Sequence, residues 1–373
     1  MIGLSRIQRY ILAENARTLI IVLGVIVLSI LLVDTVEQIS TVGARTDLSL
    51  LDALRLSFMK LPSLVEQTLA FALLISAMLT FRQLSKRAEL PVIRASGLSA
   101  WKFLTPTVLL AVLVGFFTMM VISPLGSHLS QQFESERENL LGRASEEIAV
   151  ADSGIWLRDS SELYQTIINA KAVDETGTIL SDVRFIQEER VQDGSTSRKT
   201  YQFVRRIEAK TARLRQGFWQ LEDVTEFIRD NEAVRSPSLS FATELRQATL
   251  IDRFKSPSLI GFWDLPAYIE NSESIGINAS KFKMRYLALT AIPVMFAAMS
   301  LMGALACLRL VRLGRTAPFI AFGAASSILL YFVNQLGASF GSIGAIPPLI
   351  AAWTPPVFAV FVCLTLVAYK EDG

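Results

Sequence analysis

The stretch TLIIVLGVIVLSILLV, residues 18–33, contains no charged side chain. A helix crosses the hydrocarbon core of a bilayer with about 20 mostly apolar residues. With its flanks, residues 16–33, this stretch is long enough to do so. Its apolar run is too long for a cleaved signal peptide, and Asp34, Thr35 and Val36 follow it in place of a small-residue cleavage site. The segment reads as a retained transmembrane span.

Working outward, five more spans fall at residues 61–81, 103–122, 286–308, 317–337 and 349–367. Glu66 and Gln67 lie in the first half of the second, and Ser123-Pro124 reads as the stop of the third. The stretch between the third and fourth is charged and reads as soluble protein. The chain therefore divides into helices 1–3 over residues 1–123, an inserted domain over 124–280, and helices 4–6 over 281–373. The hydrophobic fraction of 51% and mean hydropathy of +0.43 are too high for an ordinary soluble protein of 373 residues. A net charge of only +2 gives no reason to expect a nucleic-acid partner.

Basic residues in short loops set orientation. Arg6, Arg9 and Arg17 precede or enter the first span. Arg82, Lys86, Arg87, Arg94 and Lys102 follow the second against one acid, Glu89, and Arg309, Arg312 and Arg315 follow the fourth with none. The loop after the first span mixes Asp34, Glu37, Asp47 and Asp52 with Arg45, Arg55 and Lys60. Both termini are expected in the cytoplasm and the inserted domain outside.

Inside that domain the pattern changes to short alternating runs separated by turns, the signature of strands. Residues 154–158 and 162–168 are expected to pair across Asp159-Ser160-Ser161. Residues 183–186 and 201–204 flank the turn-rich Asp193-Gly194-Ser195, and residues 212–214 and 218–221 flank Gln216-Gly217. An antiparallel sandwich or open roll follows. A helix over 125–148 continues the third span beyond the membrane, and residues 257–274 hold a short amphipathic helix.

No phosphate loop, GxSxG, HExxH or CxxC motif occurs, and the single histidine, His128, supports neither a metal centre nor a histidine-based triad. Cys307 and Cys363 lie at or within apolar runs, where neither a structural disulfide nor a metal site is expected. Glu66 is the clear intramembrane carboxylate, which marks a functional candidate; it also lies close enough to the outer interface simply to reach headgroups.

The segment Arg87-Ala88-Glu89-Leu90-Pro91-Val92-Ile93-Arg94-Ala95-Ser96-Gly97, within an expected short helix at about 83–97, is the most informative. One reading is a basic amphipathic helix resting on anionic lipid. The other is a coupling helix that docks in a cytoplasmic motor, and a lone acid among bases suits that reading.

This segment resembles the form R-S-E-L-V-V-M-x-A-S-G of the LptF/LptG permeases of lipopolysaccharide export. Gly154-Ile155-Trp156-Leu157-Arg158-Asp159 is similar to that family's G-x-W-x-[KR]-D, and Ala345-Ile346-Pro347-Pro348 after Asn334-Gln335-Leu336 is similar to its G-I-P-P loop. The last two motifs lean towards the LptG branch. The resemblance covers nearly the whole chain and its order of spans. It implies six transmembrane helices with an antiparallel, jellyroll-like β domain at about 150–250 inserted between helices 3 and 4. It also implies a bacterial inner-membrane permease of an ABC transporter, not itself an enzyme and binding no cofactor. A partner LptB ATPase dimer would use ATP and Mg. The other implied partners are a homologous LptF permease, LptC, a periplasmic LptA bridge and the cargo, lipopolysaccharide.

The resemblance assigns Arg87, Glu89, Leu90 and Arg94 to ATPase coupling, and spans one and five to the lipid cavity. Small residues of span five and its exit (Gly323, Ala324, Ala325, Gly337, Gly341) suit close helix contact at a movable seam. Relatives carry cations near the outer ends of spans one to three; this chain has Asp34, Ser40, Thr41, Ser63, Gln131 and Glu134 there. Arg45, Lys60, Lys281 and Arg285, with Glu66, are the candidates for contact with the lipid. Otherwise the headgroup is poor in phosphate, or the partner permease supplies the cations. Against export stand three rivals: a permease of lipoprotein-export or cell-division type, which places its external domain after the first span; a non-transporting receptor or scaffold with a ligand-capturing β domain; and, third, a membrane enzyme, for which no catalytic constellation is visible.

Overall fold

The computed structural model describes residues 5–41, 49–95, 98–140, 148–151, 154–160, 164–173, 179–192, 199–215, 217–228, 233–243, 256–274, 278–308 and 317–372. The chain begins with α1 (Arg6–Thr41), α2 (Leu50–Lys86), a short α3 (Glu89–Ala95) and α4 (Ala100–Phe117). A π-helical turn, Thr118–Ile122, joins α4 to α5 (Ser123–Leu140). Seven strands follow: β1 (Ile148–Ala151), β2 (Gly154–Ser160), β3 (Tyr164–Val173), β4 (Ile179–Gln192), β5 (Lys199–Arg215), β6 (Phe218–Ile228) and β7 (Val234–Ala242). The chain closes with α6 (Leu265–Ser274), α7 (Ser280–Leu308), α8 (Ala317–Ser342) and α9 (Pro348–Asp372). Among the described residues six helices are long and apolar enough to cross a membrane: α1, α2, the continuous Ala100–Arg137, α7, α8 and α9. The chain forms two compact units: Met1–Arg137 with Gly261–Trp263 and Lys283–Gly373, and Glu138–Ile260 with Asp264–Phe282.

In the helical unit, local sequence explains where helices begin. Ser5 and Gln8 form a reciprocal capping box at α1: Gln8 N donates to Ser5 Oγ (3.3 Å), and Ser5 N donates to Gln8 Oε1 (2.9 Å). Ser49 caps α2 by accepting from Asp52 N at 3.2 Å. Prolines inside the spans leave a carbonyl four residues earlier without its donor, and two of these carbonyls are answered from elsewhere. Pro106 frees Lys102 O, which accepts from Gln8 Nε2 at 2.9 Å. Pro124 frees Met120 O, which accepts from the indole of Trp263 at 3.4 Å.

Although Ile148, expected at its far end, lies in β1, the third helix continues as expected past Ser123-Pro124. The π turn beside it absorbs the missing hydrogen bond, and the helix runs on to Leu140. Helices approach closely where a side chain is missing. A Cβ on Gly303 would stand 2.5 Å from Leu74 O of α2, and one on Gly115 2.5 Å from the Pro293 Cα of α7. The core between them is filled by Phe81, Phe103, Leu69, Leu73 and Leu84, each at most 2% exposed.

The β unit is one antiparallel sheet in which every strand pairs with its sequence neighbour. The three expected hairpins are present: β2 with β3, β4 with β5, and β5 with β6. Asp159 and Ser160, expected in the first turn, instead lie in β2 and pair with Thr166 and Gln165, while Ser161, Asp193-Gly194-Ser195 and Gln216 lie outside the described residues. Strands sit about 4.8 Å apart, so β4 and β7 in a flat sheet would be about 14 Å apart. Yet the rings of Phe185 and Phe241, on those strands, are 5.3 Å apart. Thr243, just beyond β7, donates from its hydroxyl to Asp159 on β2. The sheet therefore curls into an open roll around Trp219, Phe185, Ile168, Leu214 and Leu221.

The register shows where it bends. Lys171, Asp182, Lys210 and Asp223 are each skipped by the ladders on neighbouring strands, and Pro237 is skipped at the same level of β7. Asp182 and Asp223 take left-handed backbone conformations, with φ of 50° and 54°. Aspartate tolerates that region better than most residues. This line of exposed residues is a crease running across five strands. Lys171 and Asp182 pair across it at 3.5 Å. Elsewhere in the unit, Tyr268 of α6 packs on Phe282 with ring centroids 4.7 Å apart, and burial pushes its phenol up to about 12.

Candidate functional site

The first candidate surface lies where α2 turns into α3. Arg87 closes α2, and Ala88 then takes a left-handed conformation with φ of 57°, which turns the chain so that α3 starts at Glu89. In α3 the side chains divide by face. Leu90 and Ile93 are buried in the main core, at 2% and 8% exposure, while Val92 is 67% exposed. α3 is thus pinned by one face and open on the other. Glu89 lies at its start, a third exposed.

Glu89 is not isolated among bases. It accepts from the Tyr10 hydroxyl at 2.9 Å, and the Arg87 guanidinium lies 3.9 Å from it and 3.7 Å from Glu14. The structure so brings Arg87 and Glu89 together with two α1 residues, Tyr10 and Glu14, that sequence reading did not single out. Their only signal was an acid and a phenol one turn apart near the start of α1. Arg94 lies in the last turn of α3, and Ser96-Gly97 is outside the described residues.

The second candidate surface lies towards the other end of α2. Here three of the expected lipid contacts, Lys60, Glu66 and Arg285, are engaged with partners from other helices. Lys60 donates to Asp34 of α1 at 2.9 Å, and its ammonium also lies 5.8 Å from the centre of the Phe133 ring of α5. Arg285 of α7 donates to Glu66 at 2.7 Å, so the intramembrane carboxylate has an internal counterion. Both carboxylates are deep: the side chains of Asp34 and Glu66 are 6% and 8% exposed. Burying a charge is costly unless it is paired and hydrogen-bonded, which these two pairs provide. Ser63 also bonds Ser130 at 2.9 Å, and Thr35 bonds Ser57 at 3.3 Å. Lys281 has its ammonium 5.2 Å from the centre of its neighbour's ring, Phe282. Arg45 lies outside the described residues.

A third feature is apolar. A groove of about 800 Å³ runs between α7, α8 and α9, walled by Leu305, Phe322, Leu329, Pro355, Phe358 and Val362 among others. The glycines of α8 serve contacts inside the chain. A Cβ on Gly323 would stand 2.6 Å from Ala306 Cβ of α7, and one on Gly341 2.9 Å from Ala351 Cβ of α9. The outward faces of α1 and α8 are greasy and uncovered, for example Ile20, Val25, Leu28, Phe322, Leu329 and Phe332.

The profile of the lipopolysaccharide export system permease family LptF/LptG matches residues 9–369, which take in α3, both ion pairs, the roll and the groove. The chain belongs to this family. Among its relatives, the lipopolysaccharide export system permease protein LptG of Escherichia coli K12 is 23% identical over 380 residues, covering 98% of each chain. The protein of the same name from Haemophilus influenzae is 22% identical over 343 residues, covering 90% of this chain and 91% of its own. Membership makes the chain a multi-pass inner-membrane permease, and the antiparallel sheet between its third and fourth spans is part of the family-wide match.

Proposed function

We propose that this LptF/LptG-family chain is the permease half of an ABC exporter. It withdraws lipopolysaccharide from the inner membrane and passes it to a periplasmic bridge. Hydrolysis is done elsewhere: the chain has no phosphate loop, so a cytoplasmic ATPase, a LptB-type dimer, supplies it with ATP and Mg. A homologous permease and LptC complete the complex, and the roll faces the periplasm. Arg87, Glu89, Leu90 and Arg94 form the coupling element. Lys60, Glu66 and Arg285 stand at headgroup level, with Arg45 and Lys281 as the further candidates for contact with the lipid.

One observation carries the reading. α3 is a short helix with Leu90 and Ile93 sunk into the transmembrane core and Val92 bare on its far side. A helix fixed this way transmits a push from a docked partner to the helices it is rooted in. It differs from a surface-resting helix, whose apolar face would meet lipid. Purification of the tagged chain in mild detergent, followed by mass spectrometry, tests it. Recovery with a P-loop ATPase, a second six-span permease and lipopolysaccharide is the expected outcome. A folded chain recovered with neither ATPase nor lipid favours the receptor or scaffold reading.

A further inference from the structure

Lys60 and Arg285 are cations of the membrane-spanning helices placed at the level where an exported lipid would carry its headgroup. An ammonium or guanidinium holds a phosphate through charge-assisted hydrogen bonds, and must be free to make them. Neither is free. Lys60 lies between the Asp34 carboxylate and the Phe133 ring, and Arg285 is bonded to Glu66. Arg55, further along α2, lies 3.3 Å from Glu136 of α5.

Asp34 is the more informative carboxylate. Its Oδ1 accepts from Lys60 and its Oδ2 accepts from Gln38 Nε2 at 3.4 Å. Gln38 is itself 3% exposed, and among the described residues its Oε1 has no hydrogen-bond partner. The wall that Lys60 reaches is therefore rich in acceptors: a carboxylate and an amide oxygen, with the nearby hydroxyls of Thr35 and Ser57 bonded to each other. A phosphate brought here meets a cation already neutralised and oxygens that repel it.

We infer that Asp34 is a specificity-determining residue: by occupying Lys60 it withholds that cation from the phosphate groups of a glycolipid headgroup. The inference rests on the export reading and deepens it. Phosphate, where the cargo has any, is left to other surfaces of the complex.

The test uses the assembled complex in detergent and two probes, bis-phosphorylated lipid A and the same lipid A with both phosphates removed. Each is titrated against wild type, Asp34→Asn and Lys60→Gln, and the ratio of the two half-saturation concentrations is read. Asp34→Asn keeps the shape and releases the Lys60 ammonium, so preference for the phosphorylated probe is expected to rise at least fivefold. Lys60→Gln is expected to leave the ratio within twofold of wild type, and this arm stands even where Asp34→Asn fails to assemble. An unchanged ratio in an assembled Asp34→Asn complex overturns the inference. So does loss of phosphate preference in Lys60→Gln, since Lys60 would then be the phosphate receptor despite its counterion. A wild-type complex that binds neither probe overturns the export reading instead.

Discussion

At Ala88 a residue with a Cβ is held at φ of 57°, a conformation that costs an L-residue roughly 1–2 kcal/mol and glycine almost nothing. Ala88→Gly relieves that strain and adds backbone freedom to the unfolded chain, so the melting temperature is expected to stay level or rise slightly. Ala88→Val, β-branched, is expected to destabilise by about 2 kcal/mol. Thermal unfolding of the detergent-solubilised protein followed by intrinsic fluorescence distinguishes the two. Glu89 makes a functional prediction at the same scale. Replacing it with Ala or Lys removes a partner of Tyr10 and Arg87 while Leu90 and Ile93 still anchor α3, so membrane insertion is expected to be normal and ATPase co-purification weakened. Undiminished co-purification would remove Glu89 from the coupling element. The acid at this position was legible in the sequence because it stood alone in a basic loop. Its partners were not, since Tyr10 lies 79 residues away and nothing local couples the two. The same holds for Glu66 and Arg285, 219 residues apart: one could be picked out as an intramembrane carboxylate and the other as a cation just before the fourth span, but not that they neutralise one another.

At the scale of elements, residue spacing and hydropathy carried the six spans and the three hairpins, because burial on a helix or a strand repeats with a local period. The continuation of the helix past Pro124 was expected, but what permits it is non-local. A sequence shows that proline lacks an N–H; it does not show that the indole of Trp263 will serve the carbonyl left behind. The close contact at Gly303 was equally hidden, since its neighbour is a backbone oxygen on α2. That contact is testable. The Cβ of Gly303→Ala would stand 2.5 Å from Leu74 O, and a backbone atom cannot swing aside. The two helices must part, giving up the packing on which association in a bilayer depends. Overpacking of this kind costs about 1–3 kcal/mol, and a lowered melting temperature is expected, with Gly303→Val worse. In the roll, Asp223→Val is expected to destabilise by about 1–3 kcal/mol, since a β-branched residue would have to hold φ of 54° at the crease. Asp223→Gly is expected to be tolerated, and limited proteolysis of the two variants separates these outcomes.

For the whole molecule, the distribution of charge decides which side of the membrane each surface faces. Orientation is a property of charge distribution across loops. Arg82, Lys86 and Arg87 precede α3, Lys102 follows it, and Arg309, Arg312 and Arg315 fill the loop after the fourth span without an acid. A charge-bearing loop of this kind resists translocation. The inserted domain is long and of mixed charge, and long domains translocate largely regardless of charge. α3 and the roll should then face opposite compartments, with an odd number of spans, three, lying between the start of the chain and the roll. Val92 and Lys210 are both exposed and suit a labelling test. Cys307 and Cys363 are buried within the spanning helices, out of reach of an impermeant reagent, so the native cysteines contribute little background. A membrane-impermeant maleimide applied to spheroplasts is expected to label Lys210→Cys at once and Val92→Cys only after the membrane is opened. The reverse pattern would invert the chain and place the roll in the cytoplasm. Coupling by α3 to a cytoplasmic ATPase would then be impossible. Labelling of both before permeabilisation would mean an even number of crossings between α3 and the roll, which the single continuous helix Ala100–Arg137 between them does not allow.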